Sequence, residues 1–156
     1  MRLWDWAVKV HSAPGVDEAL IQLQDEHGQC VSYLIWSAWT GRMHKALDEA
    51  GLARGAALAR SWEAQVTGRL RAARRALKSD WAGIDETGRE ALRARVKADE
   101  LDAERRLLEA LEVLTPVGSD PGADILARMR AAGAAWTPPP AAALEALARM
   151  FADADC

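Results

Sequence analysis

Hydrophobic and polar positions along the chain follow a helical period, and no segment shows the two-residue alternation that is typical of a strand. The pattern predicts a first helix over about Leu3–His11 and a second helix that follows Gly15. The second helix should end at Gly28, because glycine adopts the left-handed conformation that closes many helices. A third helix should begin near Cys30. It is apolar nearly all round as far as Trp39, which predicts a central, buried position.

Two long helical patterns follow and predict a hairpin. The first runs from Ala53 to about Lys78, and the second runs from about Glu86 to Leu114. Long helices joined by a short connection pack antiparallel. We therefore expect an all-α protein in which residues 1–115 form a single domain, with a compact N-terminal helical cluster joined to a long antiparallel helical hairpin.

The composition changes after residue 115. The stretches TPVGSDPG and AAGAAWTPPPAAA are rich in Pro, Gly and Ala, and they surround two short helices near Ile125–Ala131 and Ala142–Phe151. Such spacing is typical of linkers. We therefore expect residues 116–156 to form a mobile, short helical C-terminal tail rather than part of the core.

Composition and length narrow the class of protein. Half of the 156 residues are apolar, and a chain of this length buries about two-thirds of its unfolded surface without a disulfide or a metal. The two cysteines, Cys30 and Cys156, do not make a disulfide framework. The N-terminal MRLWDWAVKVH lacks the apolar core of a signal peptide, and the run CVSYLIWSAW is too short to span a bilayer. These features predict a cytoplasmic protein with no membrane segment.

The stretch LQDEHGQC combines two carboxylates, a histidine and a cysteine. Asp25, Glu26 and His27 are consecutive, so they point in different directions on a helix, whereas good helical metal ligands are four residues apart. His27 in the last turn suits the exposed carbonyls and the negative end of the helix dipole. The spacing therefore favours a helix end over a metal site, unless His11, His27 and His44 converge in space.

The tryptophans raise a similar choice between core and binding. Trp4, Trp36 and Trp39 lie on predicted helices, where an aromatic stripe is usually core. Trp81 lies in the hairpin turn and Trp136 in a Pro-rich linker. Each of these two either covers a neighbouring helix or anchors a partner.

Charge is distributed unevenly around the net value of −3. Residues 53–83 carry seven basic and two acidic side chains, a net +5, whereas residues 84–115 carry six and nine, a net −3. On a helical wheel, one face of the first long helix is apolar, with Leu70, Ala73 and Leu77. The adjacent face carries four cations, which are Arg71, Arg74, Arg75 and Lys78.

The second long helix carries a carboxylate in its apolar seam. Glu100 lies four residues after Val96, with Asp99 beside it, and a carboxylate in a packing seam is costly unless it is paired. Either a cation of the first long helix contacts Glu100, or that part of the seam is open to water or a ligand.

Three interpretations of the cationic face compete. The one that we favour most is that the cations are either solvated or paired across the hairpin with Asp85, Glu86 and Glu90. The second is that they bind an acidic surface of a partner protein, and the third is that they bind RNA or another polyanion. An acidic chain without interleaved aromatic residues disfavours nucleic acid.

These patterns favour a non-catalytic adaptor or regulatory protein that binds a partner protein with an acidic surface through the hairpin. The expected contacts are Arg71, Arg74, Arg75, Lys78 and Trp81. An incompletely apolar seam would equally suit one half of a homodimeric bundle.

The alternative is a small-molecule or metal-binding protein, or an enzyme, with a polar pocket in the helical bundle. The pocket would contain Asp25, His27, Asp99 and Glu100. No nucleophile–base pair, phosphate loop or ligand spacing supports this alternative. We therefore assign no catalytic residue, no metal and no cofactor.

Five ordered stretches, LWDWAV, PGV, LQDEHG, LRAARRALK and ADELDAERRLLEAL, carry a family resemblance. With them the chain resembles a family of uncharacterised proteobacterial proteins, a domain of unknown function, over roughly residues 1–115. The resemblance implies no activity, cofactor or catalytic residue. It suggests that LQDEHG and the Arg-rich helix are family features, whereas the C-terminal residues lie outside the pattern.

Overall fold

The computed structural model describes residues 1–154, and over that range the fold is all-α, as predicted. The N-terminal cluster consists of α1 (Leu3–His11), α2 (Val16–His27) and α3 (Val31–Arg42). The remaining helices are α4 (Glu49–Trp62), α5 (Gly68–Ala76), α6 (Glu86–Leu114), α7 (Ile125–Ala135) and α8 (Ala141–Asp153).

The first arm of the hairpin is one continuous rod of α4 and α5, joined by a π-helical turn over Glu63–Thr67. The rod begins at Glu49, earlier than predicted, because the Asp48 side chain caps it by accepting a hydrogen bond from the Gly51 amide at 2.7 Å. The second arm, α6, begins and ends where the sequence predicts.

The central helix of the fold is α3. Every residue from Ser32 to Gly41 is buried, which confirms the prediction from its apolar pattern. Trp36 and Trp39 belong to the core, as does Trp6, whereas Trp4 is half-buried against it.

Helices α7 and α8 pack into the core, which corrects the prediction that residues 116–156 form an appended tail. Both predicted helices form, but α7 packs along α3, and α8 packs against α2 and α7. The side chains of Met129, Leu147 and Phe151 are completely buried, and the ring of Phe151 meets that of Trp6 edge-on at 5.4 Å. The C-terminal helices therefore complete the core that the N-terminal cluster begins.

Trp136 fixes the linker between α7 and α8. Its indole N–H donates to the Gly28 carbonyl at 2.9 Å, and its ring centre lies 5.7 Å from that of Tyr33. The Arg60 guanidinium lies over the same ring at 4.5 Å. Of the two interpretations of this tryptophan, the structure supports the covering of neighbouring helices.

The distal part of the hairpin, residues 72–98, extends beyond the core, and we call it the hairpin end. Within it, only Arg89 is buried. The Arg89 guanidinium donates to the Leu77 carbonyl at 2.6 Å and pairs with Asp80 at 3.2 Å, which ties the two arms together. Among the described residues, no helix is both long enough and apolar enough to cross a membrane.

Candidate functional site

Two arginines of α5 face α6 and meet three glutamates, in a group that we call the ion cluster. Arg71 is buried and pairs with Glu63, and its guanidinium lies 3.1 Å from Glu100 and 3.5 Å from Glu104. Arg74 donates to the second carboxylate oxygen of Glu100 at 2.5 Å. The seam carboxylate Glu100 is therefore contacted by cations of the first arm, which is one of the two outcomes that the sequence left open.

The π-helical turn brings Glu63 into the ion cluster. The Thr67 hydroxyl donates to the Glu63 carboxylate at 2.5 Å. A Cβ atom on Gly68 would lie 2.6 Å from the Glu63 carbonyl oxygen, so this close turn requires glycine. A turn with i→i+5 hydrogen bonds accommodates an extra residue and rotates the helix that follows. Arg71 consequently faces inward, whereas Ala73, which we predicted on the apolar face, is exposed.

Glu104 is the least satisfied member of the ion cluster. Its side chain is 31% exposed, its carboxylate has only the 3.5 Å contact with Arg71, and no described residue donates a hydrogen bond to it. Burial raises the pKa of the Glu104 carboxyl, and the nearby Arg71 only partly offsets that effect. The ion cluster as a whole sets three carboxylates against two guanidinium groups.

The four cations of the predicted cationic face lie in different environments, and their ion-pair partners differ from the carboxylates that we predicted. Arg71 and Arg74 belong to the ion cluster, and Arg75 reaches α2, where it pairs with Asp25 at 2.7 Å. That hydrogen bond lowers the pKa of the Asp25 carboxyl. Lys78 is exposed and has no ion pair within the described residues. None of the four pairs with the predicted carboxylates on α6 or its cap, namely Asp85, Glu86 and Glu90.

The stretch LQDEHGQC ends a helix, as predicted: α2 stops at His27, and Gly28 follows in the left-handed conformation with φ 61°. The histidines that could have converged on a metal have other partners: His11 pairs with Asp17 at 2.6 Å, and His44 contacts the Ala123 carbonyl at 3.0 Å. The part of the chain that the structure describes contains no group of three His, Cys, Asp or Glu side chains able to hold a metal.

The residues proposed for a polar pocket take different positions. Asp25 pairs with Arg75, and Asp99 is exposed on α6. His27 lies half-buried at the end of α2. Of the four, Glu100 alone lines the cleft described next.

A cleft lies beside the ion cluster, between α6 and the N-terminal helices. It comprises two adjoining cavities of about 580 Å³ and about 280 Å³. The larger cavity reaches Arg71, Arg74 and Lys97, and the smaller one is walled by Trp4, Ile35 and Leu108. The residues shared by both cavities are His11, Asp17, Val31, Leu101 and Glu104. Sequence reasoning missed this cleft, because its walls come from distant segments. The one signal was Leu101, an apolar residue outside the predicted seam.

The hairpin end exposes three large apolar side chains. Trp81 is 55% exposed, Ile84 is 58% exposed and Leu92 is 41% exposed. The Trp81 indole N–H donates to the Ala76 carbonyl at 3.1 Å, which holds the ring in place without burying it. The same segment carries seven basic and four acidic side chains, a net +3 on a chain of net −3.

Comparison with known families finds a match over most of the chain. A family model described as "Protein of unknown function (DUF2390)" matches residues 2–111, which confirms the resemblance to a domain of unknown function. That span contains the ion cluster, the cleft and the hairpin end, and it stops before α7. No curated protein and no solved structure matches the chain.

Proposed function

We propose that this chain, which belongs to the DUF2390 family of proteins of unknown function, is a non-catalytic adaptor or regulatory protein that binds a partner protein through the hairpin end. One observation carries the proposal: Trp81, Ile84 and Leu92 are each exposed on a segment in which only Arg89 is buried. Exposed groups of large apolar side chains mark interaction surfaces, and tryptophan is among the residues that most often dominate binding energy.

The base of the hairpin suits it to present a binding surface. The ion cluster holds α5 against α6 where the arms leave the core, and Arg89 joins the arms again near the turn. A surface that is already ordered loses less conformational entropy on binding. These contacts support a rigid arm whose outer residues are free to meet a partner.

The expected partner is a protein with an apolar pocket bordered by carboxylates. The apolar residues of the hairpin end would fill the pocket, and the net +3 of that segment favours an acidic surface. Lys78 and Arg95 are exposed and have no ion pair within residues 1–154, so they are available to contact the rim. Of the contacts predicted from the sequence, Arg71 is buried, and Arg74 and Arg75 are ion-paired. The proposal therefore keeps Lys78 and Trp81 and adds Ile84.

Site-specific photo-crosslinking in host cells tests the proposal. A photoreactive phenylalanine analogue at position 81 should capture a defined protein, whereas the same group at position 113 should not. Val113 is the matched control, because it is an apolar residue of α6 with 85% exposure that lies outside the hairpin end. The captured protein is then purified and its affinity is measured.

In that assay Trp81→Ala should weaken binding by about 2 kcal/mol or more, which is roughly a thirtyfold loss of affinity. Val113→Ser should leave the affinity unchanged. Both side chains are exposed, so the free energy of unfolding should change by no more than about 0.5 kcal/mol in either variant. Equal affinity of the Trp81→Ala variant and the parent protein would refute the proposal, and so would capture of nucleic acid instead of protein.

A further inference from the structure

The cleft between α6 and the N-terminal helices combines an apolar wall with one under-paired carboxylate. Its smaller cavity, about 280 Å³, is lined by Trp4, Ile35 and Leu108, and Glu104 lines both this cavity and the adjoining one of about 580 Å³. Together the two reach the size of small-molecule pockets, which are mostly apolar with a few placed polar groups.

Val8 on α1 and Leu101 on α6 both line the smaller cavity, although these residues are 52% and 55% exposed. Exposed apolar residues that line a cavity would lose contact with water when an apolar molecule binds there. The volume and the apolar lining of this cavity therefore suit a ring-sized apolar body.

The charges around Glu104 favour a cation at the junction of the two cavities. Arg71 already bonds to Glu63 and Glu100, so its 3.5 Å contact leaves Glu104 without a hydrogen-bond donor. The other nearby groups do not supply one either. On α1, His11 is paired with Asp17 of α2 at 2.6 Å. On α6, Lys97 lies seven residues before Glu104, about 10 Å away along the helix.

We propose that the cleft binds a small organic ammonium ion, with Glu104 as the anionic anchor and the cavity beside Trp4 as the site of its apolar body. The ammonium group would donate the hydrogen bonds that Glu104 lacks and would balance the third carboxylate of the ion cluster. Trp81 lines neither cavity, so Trp81→Ala should leave ligand binding unchanged.

Binding of 2-phenylethylamine to the ¹⁵N-labelled full chain tests the proposal by NMR. The amine should shift the indole N–H signal of Trp4 and the backbone amide signals of Val8 and Leu101. The neutral analogue 2-phenylethanol should bind at least about tenfold more weakly, because it lacks the charge-assisted hydrogen bond. The anionic analogue 3-phenylpropionate should not compete.

Two matched variants assign the charge that is responsible. Glu104→Gln keeps the size of the side chain and should reduce the affinity for the amine to that for the alcohol. Lys97→Gln removes the competing cation and should leave the affinity for the amine unchanged or raise it. A far-ultraviolet circular dichroism spectrum and a thermal melt confirm that each variant is folded.

Three results would overturn the proposal. The first is an absence of shifts at the cleft up to the solubility limit of the amine. The second is an unchanged affinity in the Glu104→Gln variant. The third is tighter binding of 3-phenylpropionate that is lost in the Lys97→Gln variant, which would make the cleft an anion site.

Discussion

Replacing Arg71 by methionine would measure how far the base of the hairpin depends on the ion cluster. The Arg71 side chain is only 11% exposed and contacts Glu63, Glu100 and Glu104. Methionine keeps much of the packing volume and removes the charge. Loss of one partner of a buried ion pair costs about 3–5 kcal/mol, because the other charge stays buried. Arg74 remains on Glu100, so we expect a value near the lower end, about 3 kcal/mol.

Urea unfolding, followed by circular dichroism and tryptophan fluorescence, gives the free energy of unfolding by linear extrapolation. The matched control is Arg106→Met. Arg106 is 59% exposed and contacts Asp102 and Glu109 on its own helix at 3.4 Å and 3.1 Å. Exposed pairs of this kind contribute about 0.3–0.5 kcal/mol, so the control should hardly differ from the parent protein.

The pH dependence of the Arg71→Met variant adds a second check. At neutral pH the folded variant keeps the buried carboxylates of the ion cluster but lacks the Arg71 guanidinium that pairs with them in the parent protein. As the pH falls, the folded variant can neutralise a carboxylate by taking up a proton before the unfolded chain does, so its deficit relative to the parent should shrink. A deficit below about 1 kcal/mol at pH 7, or one that grows on acidification, would refute the assignment of a buried ion cluster.

Three further predictions concern the core, the thiol and the cleft. Phe151→Ala should lower the free energy of unfolding, measured in urea, by about 3–5 kcal/mol. Val117→Ala is the control at a position 99% exposed and should leave the free energy of unfolding unchanged. Equal effects of the two substitutions would contradict the packing of α8. Burial raises the pKa of the Cys30 thiol to about 12, so in a Cys156→Ser background it should react with a disulfide reagent at pH 8 only after unfolding. Burial also raises the pKa of Glu104. The folded parent protein therefore takes up a proton there before the unfolded chain does, and it gains stability as the pH falls towards the raised pKa. Glu104→Gln should therefore melt at least as high as the parent at pH 7, and the difference should narrow at pH 5.

The limits of sequence reasoning are clearest in the first arm of the hairpin. The existence of the helices and the ends of α6 follow from periodicity. The cost of a carboxylate in a seam predicted that Glu100 is either paired or open to water or a ligand, and the structure pairs it with arginines. The direction in which α5 faces does not follow from periodicity, because the π-helical turn over Glu63–Thr67 rotates α5 relative to α4. Arg71, Arg74, Arg75 and Lys78 have the spacing i, i+3, i+4, i+7, which is also that of an inward stripe. Only the rotation of α5 against α6 decides whether these cations face solvent or face inward.

The C-terminal helices show a different limit, in which composition outweighed a readable pattern. Leu144, Leu147, Ala148 and Phe151 recur at i, i+3, i+4 and i+7, the stripe of a helix that packs on a core. The flanking Pro, Gly and Ala residues suggested a linker instead. In the fold these residues make turns that return α7 and α8 to the N-terminal cluster. The docking surface on α3 was not predictable, because a helix that is apolar all round does not indicate which neighbour covers which face.

Both proposed sites lie where the chain departs from what stability alone favours. Glu100 is buried and accepts hydrogen bonds from two arginines, so it fits a structural role. Glu104 is one turn away and has no hydrogen-bond donor within the described residues, and burial raises the pKa of its carboxyl. Trp81 is held in place by a hydrogen bond and yet remains exposed. Local conflicts of this kind concentrate at functional sites, and a ligand at Glu104 or a partner at Trp81 would each remove one of them.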